Sequence, residues 1–203
     1  MIHNSVQISQ VEQIWGFMKY NLDMKNSNFD NQTLEKKDFE GEKFINCSFI
    51  QTEFKKCKFI SCKFVNCRIS ALKLTDSIFI ETSFVDSKVE GVDWTKAIEL
   101  RELAFENCDI SYSNFNMLNL PNTKIINCIA KECAFSATNF TGSILTGTDF
   151  EGSRFFKTNL TKADFRDAKN YWIDIRDCNL KDAKFKSPEA LNLLRATGVQ
   201  VEV

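Results

Sequence analysis

The sequence predicts an all-β solenoid, a chain that turns after every short segment and stacks coil upon coil. Three regularities predict it. The first is a beat of five: Phe29, Leu34, Phe39, Phe44, Phe49, Phe54, Phe59, Phe64, Ile69, Leu74, Phe79, Phe84, Val89 and Trp94 are apolar without a miss. After one extra residue the beat resumes at Leu100, Phe105, Ile110, Phe115, Leu120, Ile125, Ala130, Phe135, Phe140, Leu145, Phe150, Phe155, Leu160 and Phe165. It misses at Asn170 and returns at Ile175, Leu180 and Phe185. A period of five fits neither an amphipathic helix nor a strand, so these side chains share one core only if the chain turns after each segment.

The second regularity is the position two before each beat, which reads Cys47, Thr52, Cys57, Cys62, Cys67, Leu72, Ser77, Thr82, Ser87 and Val92, then Ile98, Leu103, Cys108, Ser113 and onward to Ala168. Small side chains dominate where a second large one does not fit. The third is that the remaining positions are mostly Asp, Asn, Lys, Glu, Ser or Thr, the chemistry of solvated turns. Each unit of five therefore buries one large and one small residue. Four units per turn make a square coil of about 20 residues, with coils spaced by roughly 4.8 Å.

The runs FINCSF, FKKCKF, FVNCRI, FSATNF and LTKADF resemble the repeating unit of the pentapeptide repeat proteins. That resemblance implies a right-handed quadrilateral β-helix over residues 27–186. About 30 units at four per coil imply seven to eight coils and a rod of roughly 35 Å. The extra residue within 95–99 is expected to bulge or kink the stack. A second irregularity is expected at Asn170-Tyr171-Trp172.

The ends read as caps, which a solenoid needs to hide its terminal coils. Residues 1–26 form the expected amino-terminal cap: Ser9 to Glu12 is a capping-box pattern, and Val11, Ile14, Trp15 and Met18 mark one helical face. Residues 187–203 form the other cap. There Ser187-Pro188-Glu189 starts a helix, Leu191 and Leu194 form an apolar stripe, Gly198 stops it, and Val199 to Val203 alternate like a strand.

Composition bounds the chemistry. No charged start followed by an apolar run is present, so the sequence reads as a cytoplasmic, single-domain rod without signal peptide or membrane span. Two prolines and seven glycines leave no linker and no phosphate-binding loop. All eight cysteines, Cys47, Cys57, Cys62, Cys67, Cys108, Cys128, Cys133 and Cys178, fall at the small interior position. Neighbours five apart then lie on different faces, and CxxC spacing is absent, so we read buried thiols and expect no metal or other cofactor.

The one histidine is His3, outside the repeats, so the body offers no imidazole base. The pairs Asp164 with Asp167 and Asp174 with Asp177 are the remaining acid/base candidates. Arg166, Lys169, Arg176 and Lys181 interleave with them, and a solvated mixed-charge face is the better reading; no enzyme is expected. The net charge of −1 hides banding. Lys55, Lys56, Lys58, Lys63, Arg68 and Lys73 form a basic band, of which Lys58, Lys63, Arg68 and Lys73 are expected to ring one coil; an acidic stretch from Asp76 to Asp109 follows, beginning Asp76, Glu81, Asp86, Glu90 and Asp93. Charge pairing between these coils is the simplest account, and an acidic band read by a basic, DNA-binding partner is the sharper one. The basic band is short and lacks interleaved aromatics, which argues against direct nucleic-acid binding.

The ending EALNLLRATGVQVEV after LKDAKF is similar to that of the quinolone-resistance (Qnr-type) and microcin-immunity pentapeptide proteins. That similarity implies a homodimer through the carboxyl-terminal helix, with Leu191, Leu193, Leu194 and Val199 facing the partner subunit. It also implies a rod that imitates duplex DNA, engages DNA gyrase or topoisomerase IV and counteracts a quinolone or a peptide toxin. The acidic run from Asp76 to Asp93 would then be the contact. The alternative is a non-catalytic interaction scaffold with an unrelated partner.

Overall fold

The computed structural model describes residues 23–199, and within them the chain winds as a parallel β-solenoid with four sheets. The helix expected at Ser9 to Glu12 lies outside the described residues. On the first face Met24, Phe44, Phe64, Phe84, Phe105, Ile125, Leu145, Phe165 and Phe185 stack as nine rungs. The ladder thus begins at Met24, inside the segment read as the amino-terminal cap. The second face carries Phe29, Phe49, Ile69, Val89, Ile110, Ala130 and Phe150. The third carries Leu34, Phe54, Leu74, Trp94, Phe115, Phe135 and Phe155, and the fourth Phe39, Phe59, Phe79, Leu100, Leu120, Phe140, Leu160 and Leu180.

Parallel pairing in register explains why the apolar beat is so strict. Each ring lies on the same ring one coil below: Phe44 on Phe64 at 4.6 Å, Phe64 on Phe84 at 4.8 Å, Phe59 on Phe79 at 4.8 Å between centroids. Rings of adjacent faces meet edge-on, as Phe44 does with Phe49 at 5.7 Å. Both are preferred aromatic geometries. The small position has a second duty beyond fitting. Its hydroxyl or thiol donates to the main-chain carbonyl of the large residue one coil below, as in Thr52 Oγ1 to Phe29 O (2.8 Å), Ser77 Oγ to Phe54 O (2.9 Å), Thr138 Oγ1 to Phe115 O (2.7 Å) and Cys57 Sγ to Leu34 O (3.1 Å). Ser, Thr and Cys are the side chains that are both small and able to donate.

Each corner is made two residues after the beat, where φ is positive. Asn26, Asn46, Asn66, Asn107 and Asn127 share one corner, and asparagine is the non-glycine residue best suited to left-handed backbone. Their amides also bridge coils, Asn46 Nδ2 to Asn26 Oδ1 at 3.1 Å and Asn66 Nδ2 to Asn46 Oδ1 at 2.8 Å. Higher on that corner Gly147 has φ +68°, and a Cβ there would collide with the Asn127 amide oxygen. Gly147→Ala is expected to cost about 1–2 kcal/mol, from left-handed strain and loss of that close approach. A urea midpoint lowered with an unchanged slope checks it.

Two departures from the beat become visible. The extra residue is spent in a 3₁₀ turn, Trp94–Lys96, capped by Asp93, whose carboxylate accepts from the Thr95 amide. Beyond it Ile98, expected inside, is 66 % exposed, and among the described residues no ladder pair joins Leu100 to Leu120. Near the other end Arg154 pairs with Trp172, a spacing two residues short, while Asn159 pairs with Asn179 in the ordinary register. Tyr171 and Ile173, each 3 % exposed, therefore fill the interior. Ile175, read as a core position, stands 37 % exposed because the chain has already turned. A 3₁₀ helix, Glu189–Thr197, follows the last rung.

All eight cysteines are free and buried, as their interior position requires. Burial pushes the Cys62 and Cys133 thiols up to about 12 from an ordinary 9.0. The folded state thus favours the neutral thiol: its contribution is full below pH 9 and is lost as pH rises toward 12. Iodoacetamide near neutral pH is expected to leave the native protein unlabelled and to add eight groups after unfolding in guanidinium, read by mass spectrometry.

Candidate functional surface

Stacking converts residues about 20 apart into neighbours, so a surface must be read in columns rather than along the chain. On the second face Arg68, Lys88, Asp109, Ile129, Asp149 and Lys169 form one column. Glu90, Ser111, Lys131 and Glu151 occupy the outward position on the other side of those rungs, and Asp86 and Glu132 project from the flanking corners. Asp86, Glu90, Asp109, Glu132, Asp149 and Glu151 thereby share one side of the rod. Lys88 binds Glu90 at 2.8 Å, and Lys131 binds Glu151 at 2.6 Å and Asp149 at 3.8 Å. The result is an acidic surplus broken by Lys88 and Lys131 and bounded by Arg68 and Lys169, not an unbroken negative stripe.

The acidic run read from the sequence divides among several sides. Asp76 lies at the corner between the third and fourth faces, and Glu81 at the next corner, where it accepts from Ser61 Oγ at 2.8 Å. Asp86 accepts from Asn107 Nδ2 at 3.0 Å on the corner before the second face. Glu90 is on the second face, and Asp93 is on the third, holding Thr95 and Asn114. Of the five, stacking brings Asp86 and Glu90 beside Asp109, which continues the same acidic stretch in sequence, and beside Glu132, Asp149 and Glu151, three residues that reading along the chain missed. Their signal was present as spacings near 20, which count only after the coil length is known.

The basic band also behaves differently from the simplest expectation. Lys55 reaches Glu35 and Lys58 reaches Asp38, both at 3.3 Å, so these pairs join the band to the coil before it. The columns explain this in part: Asp38 and Lys58 are ladder partners, whereas Asp76, Glu81 and Asp86 sit at corners, where Lys56 alone of the band stacks, one coil below Asp76. Such exposed pairs contribute little energy each.

The carboxylate pairs weighed as acid/base candidates are tied to arginines. Arg166 grips Asp164 with Nη2 at 2.7 Å and Nε at 3.0 Å, and Arg176 grips Asp174 at 2.6 and 2.9 Å. Those hydrogen bonds hold both carboxyls below their ordinary range, Asp174 at about 2. A group held ionised is unsuited to donate a proton near neutral pH. Among the described residues no group of three or more His, Cys, Asp or Glu side chains is arranged to hold a metal. No helix among them is long and apolar enough to cross a membrane.

The carboxyl-terminal helix presents its apolar residues unevenly. Leu193 packs against the core and Leu191 is half-buried, while Leu194 is 37 % and Val199 52 % exposed.

Comparison with known sequences agrees with this architecture. A family model described as the pentapeptide repeat region matches residues 37–115, and a second, of pentapeptide repeats in eight copies, matches residues 133–169. The chain is a pentapeptide repeat protein. Among pentapeptide repeat proteins, the quinolone resistance protein QnrB96 of Scandinavium goeteborgense is 32 % identical over 100 residues, 49 % of this chain and 46 % of that one. The match thus spans just under half the length of that relative. A trypsin-treated variant of QnrB1, a plasmid-mediated fluoroquinolone resistance protein, superposes with a TM-score of 0.79 at 22 % identity, covering 89 % of this chain and 90 % of that one. A second trypsin-treated QnrB1 variant gives 0.64 at 22 % identity, over 90 % and 91 % of the two chains. At that identity the likeness is one of fold.

Proposed function

We propose that this pentapeptide repeat protein acts by surface recognition: it binds DNA gyrase or topoisomerase IV and counteracts a gyrase poison such as a quinolone or a peptide toxin. The observation that carries the reading is the sequence shared with QnrB96. The physical support is a rod that carries Asp86, Glu90, Asp109, Glu132, Asp149 and Glu151 on one side, spread over several coils. Such a rod competes with duplex DNA for a basic saddle and favours release of the trapped cleavage complex. Attraction of this kind weakens as salt rises. Asp76, Glu81 and Asp93 lie on other sides, and Glu81 and Asp93 make coil-to-coil contacts.

We assign the twofold contact to the exposed side of Glu189–Thr197 and the residues after it, with Leu194 and Val199 as its apolar centre and Leu191 beside them. Leu193 is held by the core of its own chain. Leu194→Asp is then expected to convert a dimer to a monomer in light scattering with the circular dichroism spectrum of the rod retained.

The test of the main reading is titration of the purified protein into a gyrase supercoiling and cleavage assay, with and without a quinolone. Loss of cleaved DNA at low micromolar protein, diminishing with salt, is the expected result. No effect at large excess would overturn it and bring forward the second reading, a non-catalytic scaffold with an unrelated partner. The paired charges Lys88–Glu90 and Lys131–Glu151, which interrupt the acidic side, are what favour that alternative.

A further inference from the structure

The shortened coil near the carboxyl end makes a cavity of about 600 Å³, within the size range of small-molecule sites. Two adjacent rungs of the third face build it. The lower presents Arg154 and Phe156, the upper Trp172 and Asp174, and Arg154 and Trp172 are ladder partners. The residues displaced by the shortening complete the wall: Asn170 on one side, and Asp177 from the turn that restores the register on the other.

Three features of this lining go together. Phe156 and Trp172 are 54 % and 64 % exposed, large aromatic surface that the rod's own packing does not use. The Phe156 ring already attracts one ammonium, Lys157 Nζ, at 5.1 Å from its centroid. The charges are arranged unusually. Asp174 is neutralised by Arg176, and the Asn170 amide is engaged with Asp149 at 2.8 Å. Arg154 and Asp177, by contrast, join no ion pair among the described residues, with each other or with any neighbour. Two opposite charges are thus held in one cavity, too far apart to satisfy one another, with aromatic rings beside them.

We propose that this cavity binds a zwitterionic aromatic small molecule, its carboxylate on Arg154, its protonated amine on Asp177, and its ring against Phe156 and Trp172. A simple cation would leave Arg154 facing it, and a simple anion would meet Asp177; a ligand carrying both charges uses both groups. The inference does not depend on the topoisomerase reading. Two sources share the chemistry, an aromatic amino acid and a fluoroquinolone bearing a piperazine, and both are used as probes.

Calorimetric titration of the full chain compares L-phenylalanine with its amide, which keeps only the amine charge, and with hydrocinnamate, which keeps only the carboxylate. The zwitterion is expected to bind best. Arg154→Gln should weaken L-phenylalanine about tenfold or more while leaving the amide unchanged, and Asp177→Asn should weaken it similarly while leaving hydrocinnamate unchanged. Trp172→Ala, at an exposed position, should weaken all three with the circular dichroism spectrum retained. The fluoroquinolone arm then ranks the two sources, and either ranking upholds a zwitterion site. Equal affinity for charged and neutral rings, insensitivity to both charge variants, or no heat for any probe up to about 10 mM with native circular dichroism would overturn the proposal.

Discussion

Phe64→Ala is expected to destabilise the rod by about 3–5 kcal/mol, the range for removing a fully buried aromatic side chain. Phe64 has no exposed surface and lies between Phe44 at 4.6 Å and Phe84 at 4.8 Å. It also meets Phe49 edge-on at 5.7 Å. One truncation therefore opens a void shared by three coils and removes aromatic contacts above and below. A solenoid cannot close such a void by sliding layers together, because the ladder hydrogen bonds set the coil spacing. The melting temperature should fall by roughly 10 °C for a chain of this length. A loss below about 1 kcal/mol, measured by urea unfolding, would contradict the stacked-ring account of stability. Phe185 offers the contrast: it is half-buried at the last rung, stacks on Phe165 at 5.2 Å and meets Tyr171 at 5.6 Å with no ring above it among the described residues, and should lose less on truncation.

Exchanging Glu90, Asp109, Asp149 and Glu151 for lysine should raise the protein needed for half-maximal gyrase protection by about 100-fold or more. Lys88 and Lys131, now paired with those acids, would then add to a basic side facing a basic saddle. The same exchange at Glu102 and Asp182, exposed at the corner between the fourth and first faces, should change protection little. Glu90, Asp109 and Asp149 are half-buried, and the last two accept hydrogen bonds from Ser111, Glu151 and Asn170, so equal melting temperatures are needed to show that any difference lies in recognition. Loss in both variants in proportion to the number of acids exchanged would mean that total charge, not the second face, governs binding. Equal retention would remove the acidic side from the mechanism.

Much of this molecule is legible before any coordinates. The beat from Phe29 to Trp94 dictates a turn after every segment, and the cysteines are explained by register without recourse to metal or disulfide. What periodicity cannot supply is the direction taken when the beat fails. At the extra residue, a chain reading places Ile98 inside by counting back from Leu100, but the 3₁₀ turn after Asp93 spends the residue and leaves Ile98 outside. At Asn170 the same counting selects Ile175, whereas Tyr171 and Ile173 turn inward because Trp172 pairs with Arg154 two residues early. A single strand position reverses the face of every side chain, so a local choice of turn decides burial.

The candidate surfaces divide in the same way. Glu90 was visible as a member of an acidic run, but its companions Asp109, Asp149 and Glu151 are adjacent only through the stack. Asp174 and Asp177 were visible as a pair, but not that Arg176 would neutralise one and leave the other lining a cavity with Arg154. By itself the sequence determined the solenoid, its square section and the buried side chains, because a repeated local pattern admits one way to hide its apolar residues. Only the tertiary structure decided which charges meet, where the ladder breaks and where a cavity opens. Those depend on contacts between coils, and their residues lie some 18 to 21 positions apart in the chain.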